Sequence, residues 1–260
     1  MAEPIISFQN VCMYFGGVKA IDNISFDVEQ GKIFGIIGPN GAGKSTLFNV
    51  LTGVYIPTSG NVCFRGNPVN KLMPHVITGS GIARTFQNIK LFDSETVLDN
   101  LKVAHYSKIS YNVADTLLRT KKFREEEVRI ERESMEILTF LGLDKYAHQK
   151  AGSLPYGEQR RIEIARALCC KPEVLLLDEP AAGMNPAEVD SLNELILNIR
   201  DHYRLTVLVV EHQMRLVMSI CEEVLVVNFG KKLLQGKPEE VKNDPQVLEA
   251  YLGKAVKDHA

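Results

Sequence analysis

The chain changes its periodicity twice. Over the first 37 residues, apolar and β-branched positions come in short runs at 5–8, 24–28 and 32–37, the pattern of strands. Gly16-Gly17 and Gln30-Gly31 punctuate these runs as turns. Residues 44–52 read as a helix that stops at Gly53, a residue suited to the left-handed position after a helix. A small strand pair is predicted over 54–70, around Gly60 and Gly66. From about 88 to 165 the pattern turns helical and polar. Within it Glu125, Arg129 and Glu133 recur every fourth residue of a helix over 121–141, which reads as a solvated, charge-paired face. After 173 short apolar runs and helical stripes alternate again. Val174–Leu177 is continuously apolar, as a parallel strand buried on both faces requires. Leu192, Leu195, Ile196 and Ile199 make one stripe of a helix over 186–203. Segments 205–210 and 223–228 read as further strands, with a turn at Phe229-Gly230-Lys231, and Pro238 and Pro245 mark where short terminal helices begin. The expectation is an α/β core interrupted by a helical insertion.

Composition narrows what such a core can do. The chain has 260 residues, enough for a large core and for between one and two domains. Lys+Arg is 30 and Asp+Glu is 32, a net charge of −2, which argues against a protein that lives on nucleic-acid phosphate. No stretch approaches the ~20 apolar residues that span a bilayer. The start, Met1-Ala2-Glu3-Pro4, lacks the basic and apolar regions of a secretory signal. The five cysteines show no metal-type spacing, so reduced thiols in the cytoplasm are expected. No internal repeat is visible.

One short segment carries specific chemistry. Gly38-Pro39-Asn40-Gly41-Ala42-Gly43-Lys44-Ser45-Thr46 lies between a predicted strand and a predicted helix and fits G-x-x-x-x-G-K-[ST]. The glycines let successive N–H groups turn inward, and the positive helix end adds to the anion-binding nest. Lys44 is placed for β- and γ-phosphates and the Ser45 hydroxyl for Mg²⁺. A second signal is Asp178-Glu179, at the C-terminal end of the Val174–Leu177 strand, the edge where open α/β sheets bind ligands. Asp178 suits Mg²⁺, and Glu179 suits orientation of a water for attack on a γ-phosphate. An acidic pair alone would read as a surface strand end; the upstream phosphate loop favours the chemical reading.

These residues, in this order, resemble the ATP-binding subunits of ABC transporters, and the resemblance covers nearly the whole chain. Phe86-Gln87, about 40 residues past the phosphate loop, looks like the family's Q-loop, whose glutamine is expected at Mg²⁺ and the attacking water. Leu154-Pro155-Tyr156-Gly157-Glu158-Gln159 resembles the signature motif, opening a helix over 158–170 with Ile162, Ala165 and Leu168 inward. In the family this helix end caps ATP held by the opposite subunit, which implies a head-to-tail dimer. Pro155, Tyr156 and Glu158 stand where the general motif has serine, glycine and glutamine, a variant similar to branched-chain amino-acid importer subunits. Ala182-Gly183-Met184-Asn185 looks like the D-loop, with Asn185 in place of aspartate. His212, after a core strand, looks like the switch histidine. Phe15 aligns with the adenine-stacking aromatic, with Tyr14 the alternative.

Two further stretches point to the same subgroup. Residues 81–87 are typical of it, and Pro238-Glu239-Glu240-Val241 with Ala250-Tyr251-Leu252-Gly253 resembles the end of branched-chain amino-acid and urea-type import ATPases. With an end of this type the resemblance implies no added regulatory domain of the sugar-importer kind.

The resemblance implies a P-loop NTPase core with an N-terminal antiparallel β subdomain (1–87 and 166–260) and an inserted helical subdomain (88–165), all within one ABC ATPase domain. It implies an ATPase using ATP and Mg²⁺, peripheral on the inner face of the cell membrane. The partners would be two permease subunits, a second ATP-binding subunit (the same or a different chain), and a solute-binding protein acting through the permease. Import of another small solute such as urea, or a soluble ABC ATPase, is the alternative. A soluble ABC protein would usually carry two nucleotide domains or a long coiled coil.

Overall fold

The computed structural model describes residues 4–106 and 109–255, with side chains as far as Tyr251; the segment Met1–Glu3 therefore lies outside the described residues, and Leu252 and Gly253 are described as helical backbone only. These residues divide into two compact units. One takes in the chain up to Ile77 and from Glu173 onward, and the other is Thr78–Pro172.

The first unit contains two sheets. A twisted antiparallel sheet has the order β2-β1-β4-β5, from β1 (Ile6–Phe15), β2 (Val18–Val28), β4 (Ser59–Phe64) and β5 (Asn67–Pro68). β1 and β2 run well beyond the apolar runs that announced them. One face of this sheet is wet, so polar residues such as Gln9 and Asn10 continue a strand that an apolar criterion ends. The second sheet has the order β10-β9-β3-β8-β7, from β3 (Ile33–Ile37), β7 (Val174–Asp178), β8 (Thr206–Val210), β9 (Glu223–Asn228) and β10 (Lys231–Gly236). β9, β3, β8 and β7 are parallel, and β10 closes the edge antiparallel to β9. Every residue of β3, β7 and β8 is buried, which explains why they are apolar but for Thr206 and Asp178 at strand ends. β10 escaped the sequence pattern because it is a half-exposed edge strand with no apolar alternation. Phe26 stacks between Phe8 (ring centroids 4.5 Å apart) and Phe34 (5.6 Å), tying the two sheets together.

The four helices beginning at Lys44, Pro186, Pro238 and Pro245 follow the predicted pattern. α1 (Lys44–Leu51) ends at Thr52, and Gly53 then takes the left-handed conformation at φ +71°. α7 (Pro186–Tyr203) buries its Leu192, Leu195, Ile196 and Ile199 stripe. α8 (Met214–Ile220) follows β8. α9 (Pro238–Asn243) and α10 (Pro245–Ala255) each begin on the marked proline. α2 (Pro74–Ser80) carries the chain onward.

The second unit opens with the three-residue β6 (Ile82–Arg84) and continues as α3 (Val97–His105), α4 (Val113–Leu118), α5 (Lys121–Phe140) and α6 (Tyr156–Cys169). α6 buries Ile162, Ala165 and Leu168, the stripe predicted for it. The α5 charge pattern follows expectation at Arg129–Glu133 and departs from it at Glu125. Arg129 pairs with Glu126 (2.6 Å) and Glu133 (3.0 Å), while Glu125 pairs with Lys121 (3.6 Å). This face is also largely shielded rather than solvated, because Glu133 receives Lys171 (2.9 Å) from beyond α6 and lies 3.6 Å from Nδ1 of the buried His105.

Burial holds the His105 imidazole below its ordinary pKa; Glu133 and Glu126 oppose this, and Lys171 and Arg129 reinforce it. A depressed folded-state pKa means the unfolded chain takes up the proton first. Stability therefore falls as the pH drops below about 6.5. Chemical denaturation of the wild type and of His105→Gln, run either side of that pH, should show the slope reduced in the variant.

Candidate functional site

The parallel sheet gathers chemistry at its carboxyl edge. β3, β8 and β7 are adjacent, so the segments leaving them, 38–46, 211–213 and 178–179, emerge side by side. The first is the glycine loop. Gly38 has φ +154°, and a Cβ there would lie 2.0 Å from the Val227 carbonyl oxygen. Gly43 caps α1 at φ +107°, where a Cβ would lie 2.4 Å from the Ala20 carbonyl oxygen. Only glycine fits either position. Lys44 is buried, and its Nζ donates to the carbonyls of Gly38 (2.7 Å) and Pro39 (3.1 Å). The cation is thus held inside the curl of its own loop. Asn40, Gly41 and Ser45 are exposed, Pro39 and Thr46 partly so, and Ala42 is buried.

Asp178 ends β7, buried, and Glu179 follows it with φ +46°. A left-handed backbone on a non-glycine residue is costly and is found where the neighbourhood over-determines it. Here the Glu179 N–H is fixed to the Val210 carbonyl at the end of β8 (2.9 Å). His212, on the next segment, is about half exposed, with Nδ1 3.9 Å from Glu179 Oε2 and 3.8 Å from Glu211 Oε2.

Sequence reading passed over Glu211. Its side chain is fully buried and accepts the N–H groups of Ala181 (2.9 Å), His212 (3.0 Å) and Gln213 (3.2 Å), while Gln213 Nε2 donates to the Ala181 carbonyl (2.9 Å). One carboxylate therefore ties the segment after Glu179 to the segment bearing His212. A Glu beside a His at a strand end carries no signature of this; the partners come from a distant stretch of chain.

Asn185 has an evident structural role as the N-cap of α7, accepting the amides of Ala187 (3.0 Å) and Glu188 (3.1 Å). Phe15, at the end of β1, is 42% exposed and meets the edge of Tyr55 at 5.1 Å. Tyr14 instead spends its hydroxyl on Asp22 (3.0 Å), so Phe15 is the ring open to stacking.

The remaining candidates belong to the second unit. Leu154 is buried, Pro155 is the N-cap of α6, Tyr156 is 47% exposed, and Gln159 Nε2 donates back to the Leu154 carbonyl (2.8 Å). The helix therefore opens one residue before Gly157 and leaves its first amides without intrahelical acceptors. Glu158 in the first turn complements the helix dipole. Arg160 and Glu163 on α6 were also missed. Arg160 is fully buried, pairs with Glu163 (2.7 Å), and donates to the carbonyls of Phe86 (2.7 Å) and Gln87 (3.0 Å). Glu163 accepts the Phe86 N–H (3.0 Å). The segment carrying Gln87 is thus clamped to the helix that begins at the 154–159 turn.

A glycine nest with a buried lysine, two carboxylates and an imidazole at one sheet edge can bind a polyphosphate and direct water at it. The family model for the ABC transporter matches residues 21–182. The chain belongs to the ABC transporter family. This cassette is an ATPase, with the nucleotide-binding fold of its relatives. A model for the branched-chain amino acid ATP-binding cassette transporter matches residues 231–257. The cassette is 43% identical over 255 residues to the high-affinity branched-chain amino acid transport ATP-binding protein LivG of Salmonella typhimurium, covering 98% of this chain and 100% of that one. It is 44% identical over 259 residues to BraF of Pseudomonas aeruginosa, with the same coverage. Among solved structures, the ADP conformation of an ATP-binding cassette of an ABC transporter matches with a TM-score of 0.85 at 32% identity, covering 97% of this chain and 100% of that one. A nucleotide-free ATP-binding cassette matches with a TM-score of 0.83 at 33% identity, covering 96% and 99%.

Glu211→Ala would leave three N–H groups without their acceptor. The expected cost in denaturant unfolding is about 3 kcal/mol, at about 1 kcal/mol per bond. Turnover should fall further than ATP affinity, because the segments bearing Glu179 and His212 lose their tie while the glycine loop does not.

Proposed function

We propose that this cassette is the ATP-hydrolysing subunit of a complex that imports branched-chain amino acids. The observation that carries the reading is end-to-end similarity at 43–44% identity to LivG and BraF, joined to the match of residues 231–257 with the branched-chain model. The partners are two permease subunits, a solute-binding protein acting through them, and a second cassette, identical or similar. No described helix is long and apolar enough to cross a membrane, so attachment to the inner face runs through the permeases.

In the proposed cycle the adenine stacks on Phe15 and the phosphates enter the nest of Gly38, Pro39, Asn40, Gly41, Ala42, Gly43, Lys44, Ser45 and Thr46. Lys44 exchanges its two carbonyl acceptors for phosphate oxygens, which costs little because the charge is already buried and oriented. The hydroxyl of Ser45 and the carboxylate of Asp178 are hard oxygen donors of the kind Mg²⁺ prefers, and they would hold the ion. Mg²⁺, when bound, neutralises charge on the β- and γ-phosphates. Glu179 orients the attacking water and accepts its proton. The water oxygen bonds to the γ-phosphorus as the bond to the bridging oxygen breaks, giving ADP and phosphate. His212 steadies the γ-phosphate. Gln87 is the residue through which the second unit responds to nucleotide, and the α6 terminus (Leu154, Pro155, Tyr156, Gly157, Glu158, Gln159) caps ATP on the opposite cassette. Asn185 faces that partner while keeping its capping role.

Titration of the purified chain with MgATP tests the loop: Lys44→Ala should weaken affinity at least ~100-fold, and unchanged affinity would remove the phosphate-binding assignment. Glu179→Gln should retain affinity and lose turnover by ~100-fold or more, the range of a lost general base. The same variant, tagged and drawn with ATP from detergent-solubilised membranes, should bring down two highly apolar permeases. Recovery of ribosomal or DNA-repair proteins instead would overturn the transport reading.

A further inference from the structure

The tail residues Ala250 and Tyr251 have no part in the chemistry above, yet the fold brings them to the phosphate loop. Asp244 caps the start of α10 by accepting the amides of Gln246 (2.9 Å) and Val247 (3.1 Å), and the Val247 side chain is buried. That anchor sets Gln246, Glu249 and Ala250 along one wall of a cleft of about 720 Å³. Pro39–Ala42, the tip of the glycine loop, line the same cleft.

Tyr251 follows Ala250 on the same helix. Its hydroxyl oxygen is buried, and the Gly38 amide is the backbone group that reaches it, in a contact too loose for a full hydrogen bond. Desolvation pushes the phenol up to about 12, so it stays neutral and keeps both its donor and its acceptor capacity. Gly38 is constrained on its other sides. Val227 leaves no room for a side chain, and the Gly38 carbonyl holds Lys44. When Lys44 turns to phosphate, that tether on the loop is lost. A buried hydroxyl with unused capacity lies beside the same residue.

We propose that Tyr251 is a positioning residue of the phosphate loop: as Lys44 leaves the Gly38 carbonyl for phosphate, the Gly38 N–H donates to the Tyr251 hydroxyl, and the tail helix holds the loop in its nucleotide-binding shape. The proposal rests on the ATP-binding reading. The wild-type affinity for MgATP, measured first on the full chain, checks that reading separately.

Tyr251→Phe removes the hydroxyl and keeps the ring. It should raise the MgATP dissociation constant and the KM about five-fold, the size of one net hydrogen bond, with kcat and the unfolding temperature unchanged. Wild-type affinity in this variant would overturn the proposal, leaving Tyr251 a packing residue. A loss of affinity that only follows a lowered unfolding temperature would overturn it equally. Amide hydrogen exchange on the wild type needs no variant. MgATP should protect the peptide holding Gly38–Ala42 and the α10 peptide together, whereas protection of the loop with α10 unchanged would count against the tie.

Discussion

The parallel pairing of β3, β8 and β7 is the constraint on which the chemistry depends. Their backbone bonds set Ile36 against Val210 and Val210 against Asp178, so three remote stretches of chain end level with one another. Full burial on both faces makes this register unforgiving, because a slip of one residue would rotate every side chain and misalign the ends. The phosphate loop, the Asp178-Glu179 pair and His212 are brought together by that alignment more than by any contact among themselves. The Glu179 N–H on the Val210 carbonyl continues the ladder one residue past β7 and holds Glu179 in its left-handed conformation.

Buried charge is then used to tie loops that the sheet leaves loose. Glu211 accepts three backbone amides across two segments. Arg160 and Glu163 do the same for Phe86-Gln87 in the second unit. Lys44 does it within its own loop. Each ion is surrounded by hydrogen-bond partners, the condition under which a buried charge is tolerable. The scheme suits a nucleotide motor. These segments are held by polar bonds, which exchange partners more readily than packed apolar contacts do.

Different residues were legible for different reasons. The glycine loop could be read because two glycines and a lysine are demanded by local sterics and charge at fixed spacing. β7, β8 and β9 could be read because strands whose middles are buried on both faces must be apolar there. β1 and β2 were read short and β10 was missed as a strand, because a half-wet or edge strand tolerates polar residues. In α5, spacing alone pointed to Glu125 as the partner of Arg129, yet Glu126 takes it, and the expected solvated face is shielded by Lys171 and His105.

The sequence by itself determined the glycine-rich strand–loop–helix, the acidic strand end and the family, since each is written in residues close together along the chain. Only the tertiary structure decided the roles of Glu211, Arg160 and Glu163. Each has a backbone partner some 30 to 77 residues away, as with Ala181 for Glu211 and Phe86 for Glu163. A side chain's hydrogen-bonding fate depends on which backbone groups folding leaves unpaired beside it, and no local pattern records that.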